Sequence, residues 1–288
     1  MSAAPVLSGS TSLYGVLGFP VEHSLSPAMQ NAAFVSAGIN AAYVAFPVDP
    51  ARLETAVAGL CAAGIRGFNL TVPHKQKVLP LLDEITPQAQ AIGAVNTVRA
   101  DQGRLLGTNT DGQGLLSSLE EDLAFDPRSR RVLILGAGGS ARAIAFALLD
   151  AGAGHLVIAN RTPERAALLA EDCRQAHPER HVESCRLEQL EGLAPDLLIQ
   201  TTTVGMKDGS APVDLAGLQV REAVCDIIYS PPETPLLAQA RRLGLRTANG
   251  MGMLLHQGAA AWTFWTGKPA PLEAMRTALR QAIQQAIP

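Results

Sequence analysis

Apolar and polar positions along the chain follow two rhythms. Short apolar runs bounded by glycine, proline or polar clusters mark buried strands, and longer stretches with apolar residues three and four apart mark helices. "LYGVLG" (13–18) has the first rhythm. "SPAMQNAAFVSAG" (26–38) has the second, with Ser26 in the N-cap position, Pro27 opening the helix and Gly38 closing it. "AAYVAFPV" (41–48) predicts a strand, "ARLETAVAGLCAAG" (51–64) a helix and "IRGFNLTV" (65–72) a strand. A helix carrying "KQKVLPLLD" is expected next, then a short strand pair in "AVNTVRADQGRLLGTNTD" (94–111).

A second block begins near Arg130. "RRVLILGAGGSARAIAFALLDAG" predicts strand, glycine turn and helix; "HLVIANRT" a strand; "PERAALLAEDCRQ" a helix; "DLLIQTTTVGM" and "AVCDIIYS" strands. "SLEEDLAFDPRSR" (118–130) reads as the junction, being charged and carrying a proline turn. The tail from "LLHQGAAAWTFWTG" onward is helical and amphipathic. Strands alternating with helices predict an α/β protein with mostly parallel sheets and right-handed crossovers, here in two domains.

Bulk properties narrow the function. The chain has 288 residues, 47% hydrophobic and 17% charged, which suits a globular protein with sizeable cores. A net charge of −3, no basic stripe and 4% aromatics give no case for nucleic acid or an anionic membrane. Cys61, Cys173, Cys185 and Cys225 form no C-x-x-C pair and are expected as reduced thiols in a cytoplasmic protein. "MSAAPVLSGSTS" lacks the basic and apolar regions of a signal peptide, and no apolar run reaches the length that spans a bilayer.

"LILGAGGSARA" fits G-x-G-x-x-A through Gly136, Gly138 and Ala141, with a strand before it and a helix after it. Gly136 permits the tight turn, and Gly138 lets the backbone approach a pyrophosphate at a helix N-terminus. The next strand ends in Asn160-Arg161-Thr162, with Arg165 following. An NAD site usually places a carboxylate there. Two guanidinium groups and no acid predict a 2′-phosphate, hence NADP.

The substrate residues are then expected in the first block. Four polar clusters stand at its loops and strand ends: "EHSLSP" (22–27), "NLTVPHK" (69–75), "AVNT" (94–97) and "TNTDG" (108–112). Each alone is explained by caps and turns. Together they present hydroxyls, amides, one lysine and one aspartate, a set suited to a hydroxylated small molecule. No P-loop is present, and "HPERH" (177–181) has proline where a zinc motif has glutamate, so it reads as a solvated loop and no metal is expected.

"GFPVEHSLSP", "NLTVPHK", "GAVNT", "GTNTDG", "GAGGSARA", "NRT" and "GMGMLLHQGA" occur in the order seen in shikimate dehydrogenases, and the chain resembles that family from about Tyr14 to its C-terminal helix. The resemblance implies reversible reduction of 3-dehydroshikimate by NADPH. It implies Lys75 and Asp111 as the catalytic pair, and Ser24, Ser26, Thr71, Asn96, Tyr229 and Gln257 as further substrate contacts. It implies a cofactor site of Gly136, Ala137, Gly138, Gly139, Ser140 and Ala141, with Asn160, Arg161, Thr162 and Arg165, and with Ile227, Gly250 and Met253 near the nicotinamide. It also implies a substrate domain of residues 1–115 plus 254–288 with the Rossmann-type domain, 116–253, inserted. The expected partner is a small molecule, and the expected state is a monomer or homodimer. Gln30 departs from the histidine of many members, and His74 lies at a variable position; neither is given a role. A quinate/shikimate dehydrogenase using NAD or NADP, a folate-type methylene dehydrogenase and a non-catalytic nicotinamide-sensing module are the alternatives.

Overall fold

The computed structural model describes residues 7–207 and 209–286; the first half of "MSAAPVLSGSTS", on which the signal-peptide reading partly rests, lies outside them. The chain divides into two compact units, residues 1–110 with 254–288, and residues 111–253.

In the first unit, β1 (Ser12–Gly18), α1 (Ser26–Ser36), β2 (Ala41–Pro47), α2 (Leu53–Ala62) and β3 (Gly67–Leu70) follow the expected order. β4 (Glu84–Ile85), α3 (Pro87–Ile92) and the pair β5 (Thr97–Asp101) and β6 (Arg104–Thr108) come next. The sheet order is β2-β1-β3-β5-β6-β4. β1 runs parallel to β2 and β3, whereas β5 runs antiparallel to both β3 and β6. The β5–β6 hairpin turns through Gln102 (φ 48°) and Gly103 (φ 79°), the left-handed pair that a two-residue hairpin requires.

One face of this sheet closes over Leu17, Val57, Phe68, Leu70 and Val98. Beyond it, Tyr14 packs on Phe34 (4.9 Å between centroids) and on Trp265 (5.2 Å), and Phe34 packs on Trp262 (4.8 Å). Each fully buried large side chain contributes about 1.5–3 kcal/mol. Gly67 makes the approach possible, since a Cβ there would lie 2.6 Å from the Trp265 ring nitrogen. That nitrogen donates to the Val98 carbonyl at 2.9 Å.

Two local expectations fail here. Ser26 is not the N-cap of α1: Leu25 holds that position, and Ser26 is the first helical residue, its N–H donating to Ser24 Oγ at 3.3 Å. No α-helix carries "KQKVLPLLD". The segment is a run of turns ending in a 3-10 turn, Leu79–Leu81. Pro80 has no N–H for a helical ladder, while burial of His74 and Val78 anchors the turns from below.

The second unit holds α4 (Asp111–Leu123), β7 (Arg131–Leu135), α5 (Gly139–Asp150), β8 (His155–Asn160), α6 (Pro163–Ala176), β9 (His181–Arg186), β10 (Leu197–Gln200), β11 (Ala223–Asp226), α7 (Pro235–Arg242) and β12 (Arg246–Ala248). Its sheet is parallel, in the order β12-β11-β10-β7-β8-β9. This is the doubly wound nucleotide-binding order. α8 (Met251–Thr266) leads out of this unit, and α9 (Leu272–Ala286) packs on α1 in the first.

The supposed junction at 118–130 is half helix. Leu115, Leu119 and Leu123 stand four apart and are buried, so Glu120, Glu121 and Asp122 are the solvent side of α4. The boundary therefore falls at the start of that helix, ahead of the 115/116 position expected. "HPERH" is not all loop either, because His181 begins β9. Only Val182 of that strand is buried, so its sequence lacked the apolar signature. "DLLIQTTTVGM" and "AVCDIIYS" are strand only to Gln200 and Asp226, after which their chains form the loops of the site.

Candidate active site

In the first unit the polar clusters join into a buried network. Asn96 Oδ1 accepts from the Thr97 hydroxyl (2.8 Å) and from the Thr110 N–H (2.9 Å), and Asn96 Nδ2 donates to Thr110 Oγ1 (3.0 Å). Asn69 Nδ2 donates to Thr97 Oγ1 (2.9 Å) and to the Asn96 carbonyl (3.0 Å). The Tyr43 phenol donates to Asn69 Oδ1 at 2.7 Å and is also hydrogen-bonded to Ser26. Burial holds that phenol well above its usual range, so it stays neutral and serves as a fixed polar post. The result is a relay Ser26–Tyr43–Asn69–Thr97–Asn96–Thr110, ending one peptide before Asp111.

Lys75 is held by its backbone. The Val95 N–H donates to the Lys75 carbonyl at 2.8 Å, which ties Lys75 to the residue preceding Asn96. The neighbouring His74 is buried, and its Nε2 meets the Val48 carbonyl at 2.9 Å. Burial lowers its pKa, with the Val48 hydrogen bond opposing. A neutral imidazole donating through Nε2 fits both facts. Thr71 is clamped as well: its N–H donates to Leu17 and its carbonyl accepts from His74, each at 2.9 Å. Its methyl occupies the space that a Cβ on Gly18 would enter, at 2.4 Å. Lys75, partly buried, is thus carried on a turn whose backbone is fixed at both ends. Lys77 is exposed.

Gln257 lies on α8, its amide donating to the Leu254 carbonyl at 2.9 Å. The next residue, Gly258, accepts from the buried Gln30 amide at 2.9 Å. Gln30 therefore fixes α8 against α1 beside Gln257. A Cβ on Gly258 would strike the Met29 Cε at 2.1 Å, which sets that closeness.

In the second unit, Asp111 is buried as the first residue of α4, where the helix dipole favours a carboxylate. Gly136 has φ +117°, and a Cβ on it would lie 2.2 Å from Thr201 Oγ1. A Cβ on Gly138 would meet nothing, so the backbone there is open to a ligand. Ala137 lies in the turn between these two; Gly139, Ser140 and Ala141 form the first turn of α5, whose N-terminus has no side-chain cap. The N–H groups of a helix N-terminus fit a pyrophosphate. Asn160 Nδ2 donates to the Thr162 carbonyl at 2.9 Å, shaping the turn that presents Arg161 and Arg165. Both arginines are exposed and form no ion pair among the described residues. That arrangement suits a phosphate better than a ribose hydroxyl.

Ile227 and Gly250 are brought together. The Gly250 N–H donates to Ile228 at 3.0 Å, and a Cβ on Gly250 would sit on the Ile227 carbonyl, so only glycine fits. Tyr229 follows, half buried, and Met253 is buried at the start of α8. The loop is pinned by Asp226, wholly buried, whose carboxylate accepts from the Ile228 N–H (3.0 Å) and the Thr234 hydroxyl (2.7 Å). Burial pushes its pKa up to about 6 despite those hydrogen bonds.

The motif reading gave no role to Tyr43, Asn69, His74, Gln30 or Asp226. Asn69 carried a signal, being a polar residue inside an apolar strand. Tyr43 carried none.

Three family models match: the shikimate dehydrogenase substrate binding domain over residues 16–98, shikimate/quinate 5-dehydrogenase over 119–204, and the shikimate 5′-dehydrogenase C-terminal domain over 250–280. The chain is 48% identical to shikimate dehydrogenase (NADP(+)) of Citrifermentans bemidjiense, over 95% of this chain and 96% of that one. It is similar to the crystal structure of shikimate 5-dehydrogenase from Thermus thermophilus in complex with NADP(H) and shikimate (TM-score 0.85, 38% identity, 94% of this chain and 100% of that one). It is also similar to quinate dehydrogenase from Corynebacterium glutamicum in complex with NAD (TM-score 0.86, 33% identity, 94% and 99%).

Proposed function

We propose that this chain, which belongs to the shikimate dehydrogenase family, catalyses the reversible NADP-dependent reduction of 3-dehydroshikimate to shikimate. The observation that carries the reading is the backbone tie between Lys75 and Val95, which sets a lysine beside the buried Asn96 network. A hydroxylated ring needs several fixed hydrogen-bond partners and one group that moves a proton, and these residues supply both.

Bound NADPH supplies the hydride, and the open Gly138 backbone, the α5 N-terminus, Arg161 and Arg165 are the residues that would hold it. Lys75 donates a proton to the carbonyl oxygen during reduction and takes it back in oxidation, a role worth about 10²–10⁴ in rate. Asn96 and Thr71 bind substrate hydroxyls. Ser24, whose Oγ already accepts from the Ser26 N–H, keeps its own proton for the substrate carboxylate. The Ser26 hydroxyl rotates from Tyr43 to the same group, and Tyr229 and Gln257 complete the contacts. Asp111, the first residue of α4, is the second member of the catalytic pair. As this role needs no second copy of the chain, a monomer suffices.

Lys75→Ala tests it. Shikimate-dependent NADPH formation should fall by about two orders of magnitude or more in kcat, while NADPH binding, read by fluorescence, stays unchanged. Near-normal kcat would remove lysine from the chemical step. The second reading is quinate oxidation with NAD, and the exposed Arg161, with no ion pair among the described residues, argues against it. A higher kcat/KM for quinate with NAD than for shikimate with NADP would reverse that choice.

A further inference from the structure

The second unit carries a group of side chains that the reaction does not use. β8 and β9 both begin with histidine, and the parallel register sets His155 directly opposite His181. The two rings stack with centroids 4.1 Å apart and planes 17° from parallel. Glu183, two residues on and on the same face of β9, reaches both: one carboxylate oxygen lies 3.2 Å from His155 Nε2 and the other 3.1 Å from His181 Nε2. The ligand atoms all lie within 4.8 Å of one another.

We infer that His155, His181 and Glu183 form a zinc-binding clip between β8 and the edge strand β9. Two imidazole nitrogens and one carboxylate oxygen suit a borderline-soft divalent ion and leave a fourth position for water. Tetrahedral zinc with ligands at about 2.1 Å separates them by about 3.4 Å, close to the two nitrogen–oxygen distances already present. The rings must splay from their stack, which needs only rotation about the soft terminal torsion of histidine. Zinc takes Nε2 as a bare lone pair, so each ring carries its proton on Nδ1 in the bound form.

The surroundings favour binding on one side and oppose it on the other. Burial and the neighbouring His181 hold the His155 imidazole below its ordinary pKa, which keeps it in the neutral, ligating form. Glu183 opposes that shift, and Arg131, beside His155 on β7, adds positive charge.

The clip lies at the N-terminal ends of its strands. The nucleotide loops lie at the C-terminal ends, and the six residues of β8 separate His155 from Asn160 by about 16 Å. Zinc therefore ties down the edge strand without touching the cofactor loops.

The experiment is calorimetric titration of the metal-free full chain with zinc chloride near neutral pH, beside thermal unfolding with and without zinc. One equivalent should bind, raising Tm in proportion to the logarithm of free zinc, with shikimate-dependent turnover unchanged. His181→Ala and Glu183→Gln, both at exposed positions, should each weaken binding about tenfold or more. Cys185→Ser, next along the same face of β9, should leave it intact. Failure to bind, binding unaffected by His181→Ala, or binding abolished by Cys185→Ser would each overturn the inference.

Discussion

Asparagine in place of Asp226 separates two terms that oppose one another at the end of β11. The wild-type carboxylate is wholly buried and accepts from the Ile228 N–H and the Thr234 hydroxyl. Burial outweighs those hydrogen bonds and raises its pKa from 3.8 to about 6. At about 1.4 kcal/mol per unit, keeping it ionised at neutral pH costs the folded state about 3 kcal/mol. Because the folded pKa lies above the unfolded one, the folded state holds the proton more tightly. This group's contribution is thus most favourable below about pH 4 and is lost as pH rises to about 6. Asparagine does not titrate. Its Oδ1 still accepts from Ile228, and its Nδ2 donates to Thr234 Oγ1. Relative to wild type, Asp226→Asn should therefore gain about 3 kcal/mol between pH 4 and pH 7. Urea unfolding followed by far-ultraviolet circular dichroism at several pH values measures the difference, and subtraction removes the other titrating groups. A difference that stays flat across the window would refute the assignment of the penalty to this carboxylate.

Two further outcomes are expected. Arg161→Ala should raise the KM for NADP about tenfold while leaving that for NAD nearly unchanged, since a charged hydrogen bond to phosphate is worth about 1.5–3 kcal/mol; steady-state kinetics with both cofactors decides, and equal losses would place Arg161 elsewhere. Gly136→Ala combines a left-handed backbone with a Cβ 2.2 Å from Thr201 Oγ1 and should lower the stability of the nucleotide unit by about 1–3 kcal/mol and weaken NADP binding; unfolding and cofactor titration check it, and a wild-type profile would show that the turn relaxes freely.

The parts of the fold legible in the sequence were those where burial and backbone chemistry coincide. β7, the Gly136 turn and α5 could be read because a strand buried on both faces is all apolar and the turn needs glycine. β9 could not, because an edge strand exposes most of its side chains. The helix expected after Pro73 failed for the opposite reason: Val78, Leu79, Leu81 and Leu82 stand three and four apart, but Pro80 and the buried His74 set the conformation. Within the site, residues that end in loops, such as Lys75 and Asn96, announced themselves through polar clusters. Tyr43, which links Ser26 to Asn69, sits in an apolar strand where tyrosine is ordinary, and only the register of three strands reveals its hydrogen bond. Asp226 was hidden likewise, since its partner Thr234 lies across a loop.

The first unit is closed by residues far apart in chain order, and this bears on synthesis. α1 is made early, yet α9, which packs on it, is made after the whole of residues 111–253. A nascent chain has all the strands of its nucleotide sheet before Trp262 and Trp265 exist to cover Tyr14 and Phe34. During that interval the aromatic face is bare and sticky, and a chain truncated before α8 would keep all the strands of its nucleotide sheet beside an exposed flank for chaperones or proteases to grip.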